Sequence, residues 1–347
     1  MFKDTCAVIV TYNPDLTEVK TLIERIVDHV GAILIVDNGS KNVDDLRSLP
    51  ATLAELGENR GVATAQNIGI EMALRNHAFV LLFDHDSLPA PDMVPKLREA
   101  YDALTQQGIR VAAVGANYIE RNFGRLQESE RRTGWVKKKA IISSGTLFSA
   151  EALRDVGPML DDLFIDHIDE EWCMRATHKW LEHNSRVETQ RCWKIYMVRD
   201  ALMGHSLGSG FTRIWAGMLS TGMFSAFLLT LIIPRAYAPF GVIAILIAAF
   251  RAGSLALPVH SPMRRYYIFR NTVHLFLRSP YPLSWKLRMA ALFVILILTT
   301  LFNAFPGGYW QHIRMILLGT WHGIRGKLGP YPAAIKEKKS LASSGSA

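Results

Sequence analysis

Two aspartates one residue apart, in Asp84-His85-Asp86-Ser87, close the apolar run Val80-Leu81-Leu82-Phe83. A buried strand that stops there presents both carboxylates at its carboxyl edge, which in an open α/β sheet is the edge where ligands bind. Two acids so close repel each other unless a cation lies between them, and hard divalent ions favour carboxylate oxygen. The pair is therefore suited to hold Mg²⁺ or Mn²⁺ against a diphosphate. An ordinary loop after a strand is the competing reading, because D-x-D alone is common.

Other polar groups end other strand-like runs. Thr11-Tyr12-Asn13-Pro14 closes the first, Thr5 to Tyr12. Asp37 follows the second, Ala32 to Val36, where a lone carboxylate can accept from a base or ribose. Glu58-Asn59-Arg60-Gly61 through Ala65-Gln66-Asn67-Ile68-Gly69 combines a turn with amide side chains that open a helix. Asn-Gly turns, Asx turns and helix caps explain each of these singly. Their recurrence at the ends of consecutive units is what points to a shared site. Further on, Asp169-Glu170-Glu171 reads either as a catalytic carboxylate with Asp166 in reserve or as an acidic helix start. Trp172 is a sugar platform or core, and His205 beside Gly204 is a ligand or a turn residue.

The elements needed to position these residues are legible as strands alternating with helices, which indicates a doubly wound, mostly parallel α/β sheet. Helices are expected around Leu22–Val30, over Val62–Asn76, from about Asp92 to Gln107 and from about Glu170 to Leu181. Strands are expected at Phe79–Phe83, Val111–Asn117, near Ile141-Ile142 and near Trp193–Val198. The chain divides into an α/β domain over residues 1–208, with halves at about 1–120 and about 121–208, an apolar insertion over 209–258, a basic helical region over 259–335 and a polar, disordered tail over 336–347.

Charge separates the two ends of the chain. From Ala201 to Ala347 the only acid is Glu337, against fifteen Lys and Arg. These bases are interleaved with Leu, Ile, Phe and Trp, and no nucleic-acid motif accompanies them, so an anionic membrane surface is the expected partner rather than nucleic acid. Ile214–Pro234 and Ala236–Phe250 are uncharged and suit a membrane hairpin or a re-entrant segment, whereas Met289–Phe302 is short for a span. Three scattered cysteines, Cys6, Cys173 and Cys192, and no signal-peptide pattern lead to the expectation of a reducing compartment and a catalytic part in the cytosol.

Taken together, Val8-Ile9-Val10-Thr11-Tyr12-Asn13, Asp37-Asn38-Gly39-Ser40, the Asn59–Asn67 stretch and Asp84-His85-Asp86 resemble the nucleotide-sugar half of an inverting family 2 glycosyltransferase of GT-A fold. Ser143-Ser144-Gly145-Thr146, Leu163 to Trp172, Gly204-His205-Ser206, His260 to Tyr267 and Arg270-Asn271 resemble its rhamnosyltransferase branch, which builds bacterial O-antigen and related surface polysaccharides. The resemblance implies that Thr11, Tyr12, Asn13, Asp37, Asn67 and Asp84 meet the nucleotide, and that Ser144 and Gly145 line the donor sugar. It gives Asp84, Asp86 and His205 to the metal, and Asp169 to the general base. Asp166, Trp172, Arg264 and Arg270 fall on the acceptor side.

The implied activity is transfer of L-rhamnose from dTDP-L-rhamnose to a lipid-linked saccharide at the cytoplasmic face of the inner membrane. UDP-glucose or UDP-galactofuranose as donor, or a non-catalytic membrane-anchored scaffold, are the alternatives. Two departures stand out: His85 occupies a position where the rhamnosyl branch leads one to expect Gln, and Ser209–Leu257 matches nothing in the family pattern.

Overall fold

Strands buried on both faces need continuous rather than alternating hydrophobicity, and three runs here meet that need. They form β1 (Phe2–Thr11), β2 (Val30–Asp37) and β4 (Phe79–Asp84), with β3 (Thr52–Glu55) between the last two in sequence. The computed structural model describes residues 1–120, 133–177, 192–205, 211–213, 256–258, 260–302 and 309–331. Two compact units result, Met1–Ser206 with Leu328–Ala347, and Leu207–Lys327.

In the first unit the helices are α1 (Leu16–Ile26), α2 (Val43–Leu46), α3 (Val62–Ala73), α4 (Met93–Gln106), α5 (Ala150–Val156) and α6 (Ile168–Thr177). The remaining strands are β5 (Leu88–Pro89), β6 (Val111–Glu120), β7 (Trp135–Lys138), β8 (Thr146–Ser149) and β9 (Lys194–His205). The sheet runs β3-β2-β1-β4-β8-β6-β9-β5, with β7 added on β9. Its first four strands are parallel, β8 enters antiparallel to both β4 and β6, and β9 is again parallel to β6. Strand order reverses at the β1–β4 pair. This is the switch point at which an α/β sheet opens a crevice at its carboxyl edge. Register places Thr11 beside Asp37, and Val10 beside Asp84, so the polar strand ends converge there.

Local chemistry sets several boundaries. The Asp15 carboxylate caps α1 by accepting from the Thr17 amide at 2.8 Å, and Ser149 caps α5 through the Ala152 amide at 3.2 Å. The core lies between the sheet and α1, α3 and α4, with Ile9, Leu22, Ile26, Ile35, Leu81 and Leu97 sealed from solvent. Ile141 and Ile142 do not form the expected strand. The Ile142 carbonyl accepts from Thr146 Oγ1 at 2.7 Å, and the Ile141 side chain occupies the space above Gly115, so the pair leads into a turn. Sequence pattern also missed β3 and β7, which lie at sheet margins and lack an apolar run.

The second unit contains α7 (Pro262–Arg278), α8 (Leu283–Phe302), α9 (Tyr309–Arg325) and a two-stranded pair, β10 (Phe211–Arg213) with β11 (Ala256–Pro258). Ser261 caps α7 and Pro262 occupies its first turn, where a missing amide hydrogen costs nothing. Helices α7 and α9 touch backbone to backbone. A Cβ on Gly319 would lie 2.4 Å from the Tyr266 carbonyl oxygen, and one on Gly323 2.5 Å from that of Arg270. The Tyr266 hydroxyl and His322 Nδ1 share a hydrogen bond of 2.7 Å across the same seam. Phe293 of α8 packs on Phe269 of α7 with ring centroids 4.6 Å apart. Among the described residues no helix is long and apolar enough to cross a membrane. Ile214–Pro234 and Ala236–Phe250 lie outside the described residues.

His322 is held below the ordinary histidine pKa by burial first, then by the charges of Lys327 and Arg270. The folded state therefore binds this proton less readily than the unfolded chain, and stability falls as pH drops below ~6.5. Thermal unfolding at about pH 7 and about pH 5 should show a lower midpoint in acid, with a shallower drop for His322→Asn.

Candidate active site

The site is built around a buried carboxylate. Asp37, 1% exposed, accepts from Thr11 Oγ1 at 2.9 Å, from the Gly39 and Ser40 amides at 3.1 and 2.8 Å, and from the Ser40 hydroxyl. Four donors meet the capacity of a carboxylate. The sequence reading gave Asp37 and Thr11 to the nucleotide. In the structure both are buried and bonded to the chain itself, and they fix the turns that end β1 and β2. Asn13 is similarly engaged, its amide donating to Ser40 Oγ at 2.8 Å and its Oδ1 accepting from the Lys41 amide at 2.9 Å. Tyr12 and Asn13 are the exposed members of this set, and Tyr12 is 45% exposed at the switch-point edge.

A second interlock joins this turn to the start of α3. Asn38 Oδ1 accepts from the Arg60 amide at 2.8 Å, and Asn38 Nδ2 donates to Asn59 Oδ1 at 3.2 Å. The same Asn59 oxygen accepts from the Gly61 amide at 3.0 Å. Gly61 has φ +91°, and a Cβ there would collide with Phe164 at 2.7 Å. The Val62 amide donates to the Phe164 carbonyl at 2.7 Å. Asn67, expected at the nucleotide, instead clamps the same downstream segment. Its Nδ2 donates to the Met159 carbonyl at 2.9 Å and to the Asp161 carboxylate, while its Oδ1 accepts from the Met159 amide at 2.8 Å.

Asp84 and Asp86 stand half-exposed at the end of β4, flanking His85. The Asp84 amide donates to Ser144 Oγ at 3.0 Å, and Ser144 and Ser87 hydroxyls lie 2.6 Å apart. The Ser87 amide closes the turn on the Asp84 carbonyl at 3.1 Å. Ser144 is thus buried behind the acidic turn and shapes it. Gly145 does not open space for a sugar either. Its φ is +72°, and a Cβ there would lie 2.5 Å from Met203 Sδ, so the close approach is made by the protein's own side chain. Gln66 Nε2 donates to Ser143 Oγ at 2.8 Å, a contact that sequence spacing gave no sign of.

Register brings His205 to the same turn. Leu88 pairs with Gly204 in the antiparallel β5–β9 pair, which sets His205 level with Ser87 by backbone; its side chain lies outside the described residues. Among the described residues no group of three His, Cys, Asp or Glu is arranged to hold a metal. The Asp84–Asp86 pair is an all-oxygen donor set of the kind that hard cations take. The buried thiols are not competitors: burial pushes Cys6 up to about 11 and Cys173 up to about 12.

The downstream acids separate by environment. Glu171 is buried and forms a bidentate pair with Arg175 at 2.7 and 2.8 Å, while Arg175 also donates to the Val156 and Pro158 carbonyls. It is committed to packing. Trp172, expected to stack on a sugar, is 0% exposed, donates to the Gly157 carbonyl at 2.9 Å and meets Phe148 edge-on. Asp166, Asp169 and Glu170 remain half-exposed at the start of α6. Phe164, Asp166 and His167 have φ of 65°, 65° and 63°. Such a run of left-handed non-glycine residues costs on the order of 1 kcal/mol each and is held only where the surroundings enforce it.

In the second unit Arg270 is 0% exposed, its guanidinium 4.8 Å from the Tyr267 ring centroid and its Nε donating to Asn271 Oδ1 at 2.9 Å. It is a core cation, not the acceptor-facing one expected. Arg265 is likewise buried, and desolvation brings its pKa down to about 10. Arg264 is half-exposed in the first turn of α7.

Residues 6–157, which carry the switch point and the acidic turn, match the family model described as Glycosyl transferase family 2. The chain is a glycosyltransferase carrying a family 2 domain. The transferase is 28% identical over 342 residues to the dTDP-rhamnosyl transferase RfbF of Shigella flexneri, covering 93% of this chain and 96% of that one. Its mixed sheet is GT-A-like. Among solved structures, S. aureus TarS 1-349 in complex with UDP-GlcNAc gives a TM-score of 0.47 at 14% identity, over 90% of this chain and 79% of that one. GalNAc-T7 with UDP, GalNAc and Mn²⁺ gives 0.45 at 12% identity, over 58% and 43%.

Asn67→Ala removes three hydrogen bonds between α3 and the segment leading to Asp169. It should lower stability by about 2 kcal/mol and reduce kcat more than donor affinity. Denaturant unfolding and steady-state kinetics check both.

Proposed function

We propose that this enzyme moves L-rhamnose from dTDP-L-rhamnose to a saccharide carried on a lipid diphosphate at the cytoplasmic face of a bacterial inner membrane, with inversion at the anomeric carbon. The observation that carries the reading is the likeness to the Shigella dTDP-rhamnosyl transferase, which runs through 93% of this chain and so extends well past the nucleotide half. Asp84 and Asp86 at the switch-point edge and the half-exposed Asp169 at the start of α6 support it.

In this reading the thymine ring stacks on the exposed Tyr12, over loops that Asp37 holds rigid. Asp84 and Asp86, with His205, hold Mg²⁺ or Mn²⁺, whose charge when bound offsets that developing on the departing diphosphate. Asp169 accepts the proton of the acceptor hydroxyl. That oxygen forms its bond to the anomeric carbon as the carbon–oxygen bond to the diphosphate breaks on the opposite face, and dTDP leaves. One base suffices for a single displacement. Asp166, also half-exposed, is the nearest alternative base, whereas Glu171 is excluded by its pairing with Arg175.

Transfer should be lost in EDTA and restored by Mn²⁺ or Mg²⁺ with dTDP-L-rhamnose, and stay negligible with UDP-glucose or UDP-galactofuranose. A panel of radiolabelled donors with membrane acceptors decides it. Turnover with a UDP-sugar alone would reassign the donor, and no turnover with any would favour a non-catalytic scaffold. Asp169→Asn should cut kcat by about 10²-fold or more with donor binding intact; unchanged turnover would move the base to Asp166.

A further inference from the structure

Helix α9 is apolar on two sides. His312, Met315, Ile316, Gly319 and Gly323 form its buried side, with both glycines pressed on α7. The other side carries Trp310, Arg314, Leu317, Trp321 and Ile324, at alternating four- and three-residue spacing, which keeps one stripe along the helix. Its large apolar members are exposed: Trp310 79%, Leu317 65%, Trp321 49% and Ile324 48%. With Ile313 and Leu318, the stripe from Trp310 to Trp321 lines an open groove of about 480 Å³. Contiguous exposed apolar surface of this kind marks a place where something docks.

Charge identifies the occupant. The only acid after Asp200 is Glu337, in the far tail. Along the stripe stand Arg314 and Arg325, the latter with its guanidinium 4.1 Å over the Trp321 ring, and Lys327 follows the helix. A second copy laid on this face would set cations against cations with no carboxylate from either helix, unlike seams that pair helices through opposite charges. Leucine and isoleucine flanked by tryptophan and arginine is instead the composition of a helix lying in a bilayer interface, with rings and cations at headgroup level.

We infer that the Trp310–Ile324 face of α9 docks on an anionic phospholipid surface. The inference rests on the proposed lipid-linked acceptor, since docking would hold the enzyme on the surface that presents it. Arg314 and Arg325 contribute attraction to headgroup phosphates, and Leu317 and the two tryptophans enter among the acyl chains.

The test is flotation of the full chain with phosphatidylcholine vesicles, with and without phosphatidylglycerol. Alongside it, calorimetric binding of dTDP-L-rhamnose and melting curves are measured for every variant. Wild type should float with the anionic vesicles. Leu317→Glu should bind at least about tenfold more weakly and Arg314→Glu about fivefold, with unchanged melting, because both side chains are exposed. Equal flotation of the variants would overturn the inference. So would a dimer in solution that Leu317→Glu converts to monomer. Wild type that binds donor but no vesicles removes this surface and leaves the enzymatic reading standing; vesicle binding without donor binding does the reverse.

Discussion

Everything at the carboxyl edge of the sheet depends on the Asp37 side chain being buried with both of its oxygens met by donors. A charge taken from water is tolerable only when donors surround it, and Thr11, Gly39 and Ser40 supply them. Their convergence fixes the ends of β1 and β2 against each other. It also brings Asn38 to where it can hold Arg60 and Asn59. Because Gly61 and Val62 then seat Phe164, the position of the Asp166–Asp169 segment follows from a hydrogen-bond system more than a hundred residues upstream. The turns that end β1 and β2 and the segment that precedes α6 are parts of one network, not two modules side by side.

The fold of the first unit was legible because buried parallel strands leave an unmistakable trace. Val8-Ile9-Val10 and Val80 to Phe83 have no polar interruption, and the residues that end them are polar. The antiparallel insertion of β8 between β4 and β6 could not be read, since Thr146–Ser149 is short and its pairing depends on residues far away in sequence. Sequence also drew attention to the turns that end β1, β2 and β4, but not to how their side chains are engaged. Asp37, Asn67, Ser144 and Gly145 sit where a ligand-binding residue would, yet their polar atoms and open space are taken by the chain. Spacing shows that a polar residue ends a strand; it does not show whether that residue faces outward or inward. Tyr12, by contrast, is exposed directly after the buried Thr11, a difference visible only once the pleat of β1 and the turn of Asn13 are known.

In the second unit the basic residues looked alike in sequence and prove unlike in structure. Arg270 and Arg265 are buried within the helical packing, and Arg270 rests on tyrosine rings. Arg314 and Arg325 are exposed on α9. Charge counting alone merges these two populations, whereas the Gly319–Gly323 seam separates them. By letting α9 lie directly on α7, the two glycines decide which side of the helix is spent on packing and which is left to face outward.

The left-handed backbone at Phe164, Asp166 and His167 carries a consequence for anyone seeking to change what this enzyme glycosylates. A mutational library aimed at acceptor choice would naturally randomise the segment leading to Asp169, the proposed base. In this chain, isoleucine, valine and threonine at those three positions would be selected against for their conformation before their chemistry was ever sampled. Asparagine and glycine would be enriched for reasons unrelated to acceptor recognition. Diversity is better placed at Ile165 and Glu170, which have ordinary backbone geometry and remain half-exposed beside the same acid.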